Sequence, residues 1–449
     1  MKKIIFLVIL FFNIIFFAGA QSTDTTSTTS FSLPQAIDYA FSHQSSYLTA
    51  VLDEQISHAK VQEIIGIGLP QISGKIDVKN YPEIPTSFIP AEFFGGSAGE
   101  FVPVKFGTPY QAEAGFSASQ LLFDPTYLVG IKASKSLREL ATKNTQRTKI
   151  ETVVSVSKAY FNVLVNRERM QLIDAQVIRI KKLRDDTQAM FDNGFVEKVD
   201  LDRLTLNYNN IITEKEKIGR VVALGEYFLK YQMGMDIFSN ITLTDSLNEE
   251  RIRNYVVTAE KPDVTQRIEY SLMQTNRDLE TLNLKRYKGQ YFPSLFAYGV
   301  LSVAAQRSEF DFYDTDQRWF PIGIIGGTLQ WNLFDGLQRE KKIKQANLSV
   351  KKAELSLQNI GIALALEAEN GRTNLQNALT TLNAQKENME LATDVVRISK
   401  LKYDQGVGSN LEILNAETSM KEALANYYNA LFDALVAKVD LDKALGIIK

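Results

Sequence analysis

Cysteine is absent from the 449 residues, and only two histidines occur, His43 and His58. The first absence excludes disulfides, thiolate metal sites, a cysteine nucleophile and a lipid-modified N-terminal cysteine. The second removes most histidine-based catalysis and metal binding. Proline is scarce: none stands between Pro125 and Pro262, and none follows Pro321. Neither sign of charge prevails, since 50 Lys+Arg face 52 Asp+Glu, a net charge of -2. A nucleic-acid binder needs a basic stripe, so that class is excluded. What remains is a transporter, a scaffold or a binding protein. No enzyme activity, cofactor or metal is expected.

What is present begins with a targeting signal. Lys2 and Lys3 precede an apolar run from Ile4 to Phe17, and Ala18-Gly19-Ala20 offers a small-residue cleavage site. Cleavage leaves 48 basic residues against 52 acidic ones. Residues 21–31, rich in Ser and Thr, read as a disordered leader. No later run is long enough to be a membrane helix, so membrane entry would be by strands.

The chain is similar to itself. Phe191-Asp-Asn-Gly194 matches Tyr403-Asp-Gln-Gly406, and Gly234 matches Gly446, both at an offset of 212. Leu122-Phe-Asp124 matches Leu333-Phe-Asp335 at 211, and Pro70 matches Pro293 at 223. The drift places a longer insertion in the first copy. The expected division is a signal peptide over 1–20, the leader over 21–31, a first repeat over 32–246 and a second over 247–449. Each repeat holds a β-hairpin (about 71–119 and 294–333) and a helical hairpin (about 126–231 and 336–446).

Pro-free stretches permit unbroken helices, because an interior Pro costs about 3 kcal/mol. The sequence predicts helices over 126–190 and 336–402, each about 100 Å long at about 1.5 Å per residue. Leu375, Leu382, Met389, Val396 and Tyr403 repeat every seven residues, the pattern of a left-handed supercoil. Gly194 and Gly406 are expected to end these helices as left-handed caps. Return helices follow over 198–231 and 409–446, with further helices over 34–66 and 263–289.

The inserts alternate with period two. Over 71–80 the odd positions are polar, and the even ones include Ile72, Gly74, Ile76 and Val78; 111–119 behaves likewise. About ten residues suffice for a spanning strand. In the second copy, strands are expected over 294–305 and 322–333, with less clean alternation and with aromatics near their ends. Four strands cannot close a barrel, and open edges cannot stand in lipid. Several chains must therefore share one barrel, and by strand count two, three or four would serve. The tips at 81–103 and 306–318 are expected to be loops facing the exterior.

This pattern resembles the TolC family of outer-membrane efflux proteins, over about residues 31–449. The residues that carry the resemblance are Ser32-Leu-Pro-Gln-Ala-Ile-Asp-Tyr-Ala40, Pro70, the two Leu-Phe-Asp triplets, Ala159-Tyr-Phe-Asn-Val-Leu164, Lys261-Pro-Asp263, Tyr291-Phe-Pro-Ser294, Tyr403-Asp-Gln-Gly406 and Leu411-Glu-Ile-Leu-Asn-Ala416. The resemblance implies a mainly α fold with membrane β structure: long α-helical coiled-coil hairpins continuing into a shared transmembrane β-barrel. It implies a homotrimer in the outer membrane of a Gram-negative bacterium, in contact with its lipid and extending into the periplasm. A girdle would include 232–262. It implies a passive exit duct of a tripartite efflux pump or type I secretion system, joined by a periplasmic adaptor (membrane fusion protein) to an inner-membrane pump.

The same resemblance puts the periplasmic gate at the second return helix. The acidic position six residues after the turn glycine is Glu412, and the second acidic position of the family is Asn415 here. Asp200 is the equivalent of Glu412 in the first copy. Three converging Glu412 side chains would repel one another and attract cations. Ser409-Asn-Leu-Glu412 also fits a capping box, and on sequence alone that role carries more weight. Phe191, Gly194, Tyr403, Gly406 and Gly408 are candidates for adaptor contact, or residues that only shape the turns. His43 and His58 have no partners at ligand spacing, and Met233 with Met235 reads as packing. Gly95-Gly-Ser-Ala-Gly99 lacks the Lys of a phosphate loop. The competing reading is a trimeric coiled-coil structural or adhesive outer-membrane protein. The internal position of the hairpins favours the duct.

Overall fold

The computed structural model describes residues 29–247, 252 and 262–448. The signal peptide, residues 21–28 of the leader and much of the proposed girdle lie outside the described residues. In chain order the elements are β1 (Thr29–Phe31), α1 (Leu33–His43), α2 (Ser45–Gly66), β2 (Gln71–Asn80), β3 (Thr86–Pro90), β4 (Phe101–Lys105) and β5 (Tyr110–Phe123). Then come α3 (Pro125–Asp192), α4 (Lys198–Met233), β6 (Ile241–Leu243), α5 (Ile268–Gly289), β7 (Ser294–Arg307), β8 (Phe320–Gln330), α6 (Gln338–Asp404) and α7 (Asn410–Ala444). Among the described residues no helix is long and apolar enough to cross a membrane.

The chain forms two compact units. One takes the described residues of Met1–His43, Val156–Arg251 and Gln385–Phe432; the other takes those of Gln44–Ser155, Ile252–Ala384 and Asp433–Lys449.

The first unit is cored by Phe31, Ala36, Ala40, Val156, Tyr160, Val163, Leu229 and Met233. The Ala159–Leu164 segment supplies its centre, with Tyr160 fully buried. A buried hydroxyl must find acceptors. The Tyr160 hydroxyl reaches the Phe31 carbonyl at 2.9 Å and Asp245 Oδ2 at 2.9 Å. Burial, and then the Asp245 carboxylate, push its pKa well above that of an ordinary phenol. Residues 29–31, expected within the leader, instead form β1, which pairs parallel with β6. The helix expected over 34–66 is interrupted at Gln44, which is extended (φ -73, ψ 118) and accepts the Tyr47 N–H at 2.9 Å. A side chain that caps a new helix ends the old one.

The second unit carries the sheet, in the order β2-β5-β7-β8, antiparallel throughout. Its edges, β2 and β8, are unpaired in the single chain. One face bears Ile72, Ile76, Val78, Phe116, Leu301, Val303 and Ile325, all exposed. Tyr110, Phe310, Phe312 and Trp319 form an aromatic chain at one end, with centroids 5.5–6.0 Å apart. At the other end Trp331 Nε1 donates to the Tyr291 carbonyl at 3.0 Å, and Arg339 lies over the Tyr291 ring. The tip 81–103 is not a plain loop: β3 and β4 pair as a separate hairpin. Its Val, Ile and Phe content supports pairing that the Pro and Gly residues had masked.

In the same unit Asp124 caps α3, its Oδ1 accepting from the N–H groups of Thr126 at 2.6 Å and Tyr127 at 3.3 Å, with Pro125 at the first helical position. Its counterpart Asp335 accepts from Arg339 N at 3.0 Å. Gly336 and Leu337 both sit at φ +66 between them, so α6 begins at Gln338 and not at 336. β8 likewise ends at Gln330, short of 333. Helices α2, α3 and α5 are joined by Thr145 Oγ1 to the Ala50 carbonyl at 3.0 Å and by Lys143 Nζ to Thr275 Oγ1 at 2.6 Å. Arg267, almost wholly buried, satisfies the Ala444 carbonyl at the end of α7 at 2.7 Å and pairs with Glu269 and Glu367.

Candidate functional site

Both helical turns lie in the first unit. They end their helices alike, because an L-residue at positive φ is disfavoured and glycine is not. Gly194 has φ +76, with Phe195 N–H on the Met190 carbonyl at 2.9 Å; Gly406 has φ +74, with Val407 N–H on the Lys402 carbonyl at 3.0 Å. This is the left-handed cap expected from the sequence. Phe191 is half-buried, and its carbonyl accepts the Gly194 N–H at 2.9 Å. Gly408 packs more tightly than its neighbours: a Cβ there would stand 2.8 Å from the Tyr403 nitrogen. Gly408→Ala is therefore expected to distort the second turn. Hydrogen exchange over 403–412 should quicken at least about tenfold, an opening cost of about 1.4 kcal/mol, while Gly130→Ala, with open space around it, changes nothing.

The two turns touch. The Tyr403 hydroxyl points to Met190 Sδ at 3.7 Å, and Asn410 Nδ2 donates to the Asp200 carbonyl at 3.3 Å. Asp200 is half-buried, with Arg203 Nη1 3.7 Å from its carboxylate. Glu412 and Asn415 are both exposed on α7. Ser409 Oγ accepts the Glu412 N–H at 3.2 Å, so the serine half of the capping box is present while the Glu412 side chain is exposed.

The opposite face of α7 holds the carboxylate that sequence reasoning missed. Glu417 is only 4 % exposed and sits among Ile413, Ala416 and Met420. Its Oε2 accepts from Gln176 Nε2 at 3.2 Å and its Oε1 from Arg179 Nε at 3.4 Å. Gln176 Nε2 also approaches the Glu417 carbonyl at 3.3 Å. A buried charge persists only when paired and hydrogen-bonded. These contacts fasten α7 to α3. The signal was a charged residue at helical spacing within an apolar stripe, Ile413, Glu417, Met420, Leu424, facing Ile173, Gln176, Ile180. Beside this network a cavity of about 700 Å³ is lined by Arg179, Lys182, Asp186, Lys400, Asp404 and Glu417 among others. α3 and α4 are held together by Arg167–Glu226 at 2.6 Å, Asp174–Lys215 at 2.7 Å and Arg184 over Tyr208 at 4.4 Å.

His43 stacks on Tyr39 at 3.9 Å, His58 is exposed, and Met233 is fully buried as packing. Among the described residues no group of three or more His, Asp or Glu side chains could hold a metal ion.

Residues 289–447 match the family described as Outer membrane efflux protein. The chain is 18 % identical over 337 residues to the outer membrane protein TolC of Vibrio cholerae, covering 75 % of this chain and 76 % of that one. Among solved structures it is similar to CusC, described for its folding and transmembrane channel formation, with TM-score 0.75, 14 % identity, and 92 % and 91 % of the two chains covered. It is also similar to the CmeC outer membrane channel of Campylobacter jejuni, with TM-score 0.72, 16 % identity, and 92 % and 85 % covered. The resemblance to the TolC family read from the sequence is thus found again in a family match, in a curated relative and in the fold.

Proposed function

We propose that this chain, similar in sequence and fold to outer membrane efflux proteins, is the exit duct of a tripartite efflux or secretion system. It lies in the outer membrane of a Gram-negative bacterium and extends into the periplasm. Three copies join edge to edge, β8 of one to β2 of the next, and close one barrel. The helical hairpins, two copies of one duplicated unit, line the passage on the periplasmic side. A periplasmic adaptor meets the turns at Phe191–Gly194 and Tyr403–Gly408, and an inner-membrane pump supplies the energy. The chain itself performs no catalysis.

One observation carries this reading: the four-stranded sheet has an apolar outer face, aromatic groups at both ends and two unpaired edges. Aromatic girdles mark spanning barrels, and the unpaired edges must find strands, because lipid offers no hydrogen bonds. Purified protein in planar bilayers should conduct ions as a trimer. A monomer without conductance would sink the reading.

At the periplasmic end, the exposed Glu412 side chains form the acidic ring, with Asn415 contributing no charge and Asp200 held in the outer turn. Glu412→Gln is expected to lower the preference for K⁺ over Cl⁻. An unchanged preference would leave Glu412 as a helix-start residue only. Opening separates α7 from α3, and so requires Glu417 to leave Gln176 and Arg179.

A further inference from the structure

The face of the sheet opposite Ile72, Ile76 and Ile325 is not uniform. Side chains of directly paired residues share a face. Four cross-strand rows can be followed: Gln71–Ser119–Tyr298–Gly326, Ser73–Ser117–Val300–Ile324, Lys75–Gly115–Ser302–Ile322 and Asp77–Glu113–Ala304–Phe320. Each row is polar or glycine on β2 and β5. On β7 and β8 it is mostly aliphatic or aromatic. The charges compensate one another. Lys75 Nζ lies 2.6 Å from Asp77, Lys79 Nζ lies 3.9 Å from the same carboxylate, and Glu113 accepts from Ser302 Oγ at 2.9 Å. On β7 and β8 this face carries no charge from Phe296 to Gln306 or from Phe320 to Gln330. The Tyr298 ring lies across Gly326, where a Cβ would stand 2.7 Å from the ring, so the aromatic surface spans both strands.

Lipid accepts only the face without Lys75, Asp77, Lys79 and Glu113. The mixed face is therefore the lumen wall, an assignment that rests on the proposed duct. A wall built only to pass hydrated ions would be polar all round. Here a neutral, charge-paired stripe alternates with an apolar one. We infer that Tyr298, Val300, Ile322 and Ile324 form a lengthwise apolar track in the lumen, and that the track selects cargo made of an apolar body with a polar or charged group over bare hydrated ions. The apolar body slides along β7 and β8 while the polar group keeps its partners and water on β2 and β5. Neutrality of the charged stripe leaves the sign of the cargo's charge open to either value.

The absence of native cysteine makes single-cysteine variants of the full chain unambiguous. Ile324→Cys and Ile325→Cys, adjacent but on opposite faces, are to be treated in outer-membrane vesicles with a charged, membrane-impermeant thiol reagent. Labelling is expected at 324 and not at 325. The labelling of Ile324→Cys is then repeated with tetraphenylphosphonium or tetramethylammonium, cations of equal charge and different apolar surface. Tetraphenylphosphonium should slow it by about tenfold, which burial of roughly 55 Å² of apolar surface supplies, and tetramethylammonium by less than about twofold. Adding Val300→Ser should abolish most of that protection. Equal protection by the two cations, or protection that survives Val300→Ser unchanged, overturns the track and leaves the duct standing. Labelling at 325 in place of 324, or at neither, overturns the lumen assignment and the track together.

Discussion

Glu417→Ala is expected to raise the open probability of the reconstituted channel about a hundredfold. Removing one partner of a buried ion pair costs about 3–5 kcal/mol, and the lower end applies because the Arg179 side chain is 35 % exposed and keeps water contact. About 3 kcal/mol at about 1.4 kcal/mol per factor of ten gives that ratio. In the proposed opening, which parts α7 from α3, the cost falls on the closed state alone. Arg179→Ala should act in the same direction and at least as strongly, because it leaves the Glu417 carboxylate, 4 % exposed, with the neutral Gln176 amide at 3.2 Å in place of a counter-charge. Replacing the exposed Glu412 should alter ion preference and, by relieving the mutual repulsion of the ring, should not raise open probability. Single-channel recording separates the two effects. A Glu417→Ala channel that opens no more often than the native one would remove the network from the gating account.

Ile325→Lys should abolish assembly in the outer membrane, while Ile324→Lys should be tolerated. Ile325 is 95 % exposed in the single chain, on the face proposed to meet lipid, and stands near the middle of β8. A lysine at the bilayer midplane costs about 2–4 kcal/mol, and three copies make roughly 6–12 kcal/mol per barrel. That is comparable to the whole stability of many folded proteins, about 5–15 kcal/mol. In the proposed duct Ile324 faces the lumen, where a lysine meets water. The check is the amount of heat-modifiable oligomer recovered in the outer-membrane fraction. Equal recovery of both variants would contradict the assignment of faces.

Much of this was written locally. Proline absence and heptad spacing gave α3 and α6 to within two residues at each end, because helix continuity depends on what each residue permits its neighbours. The Gly194 and Gly406 caps were legible for the same reason. Period-two alternation found β2 and β5, whose two faces differ. It was weaker for β7 and β8, and the register explains why: Val300, Ile322 and Ile324 on one face oppose Leu301, Val303 and Ile325 on the other. A strand apolar on both faces loses its period. The break at Gln44, the β3–β4 hairpin and the two positive-φ residues before α6 were not legible. Each depends on one side-chain bond, a short pairing or a backbone turn that composition hardly marks.

At the site, the sequence supplied the turns but not the network. Glu412 drew attention because it follows a glycine turn at a recognisable spacing. Glu417 acquires its meaning from Gln176 and Arg179, some 240 residues away in the chain, across a helix contact that periodicity suggests but cannot pair. Its misfit on the apolar stripe of α7 was the available clue.

In the proposed duct, strand edges of separate copies meet to close a ring. Disulfide cross-linking tests this most directly: one cysteine on β2, at Gln71, Ser73 or Lys75, is combined in the same chain with one on β8, at Ile322, Ile324 or Gly326, and oxidised in outer-membrane vesicles. A ladder of one, two and three chains that stops at three is the predicted result. No intermolecular product for any pair, or a ladder that continues past three, would contradict it.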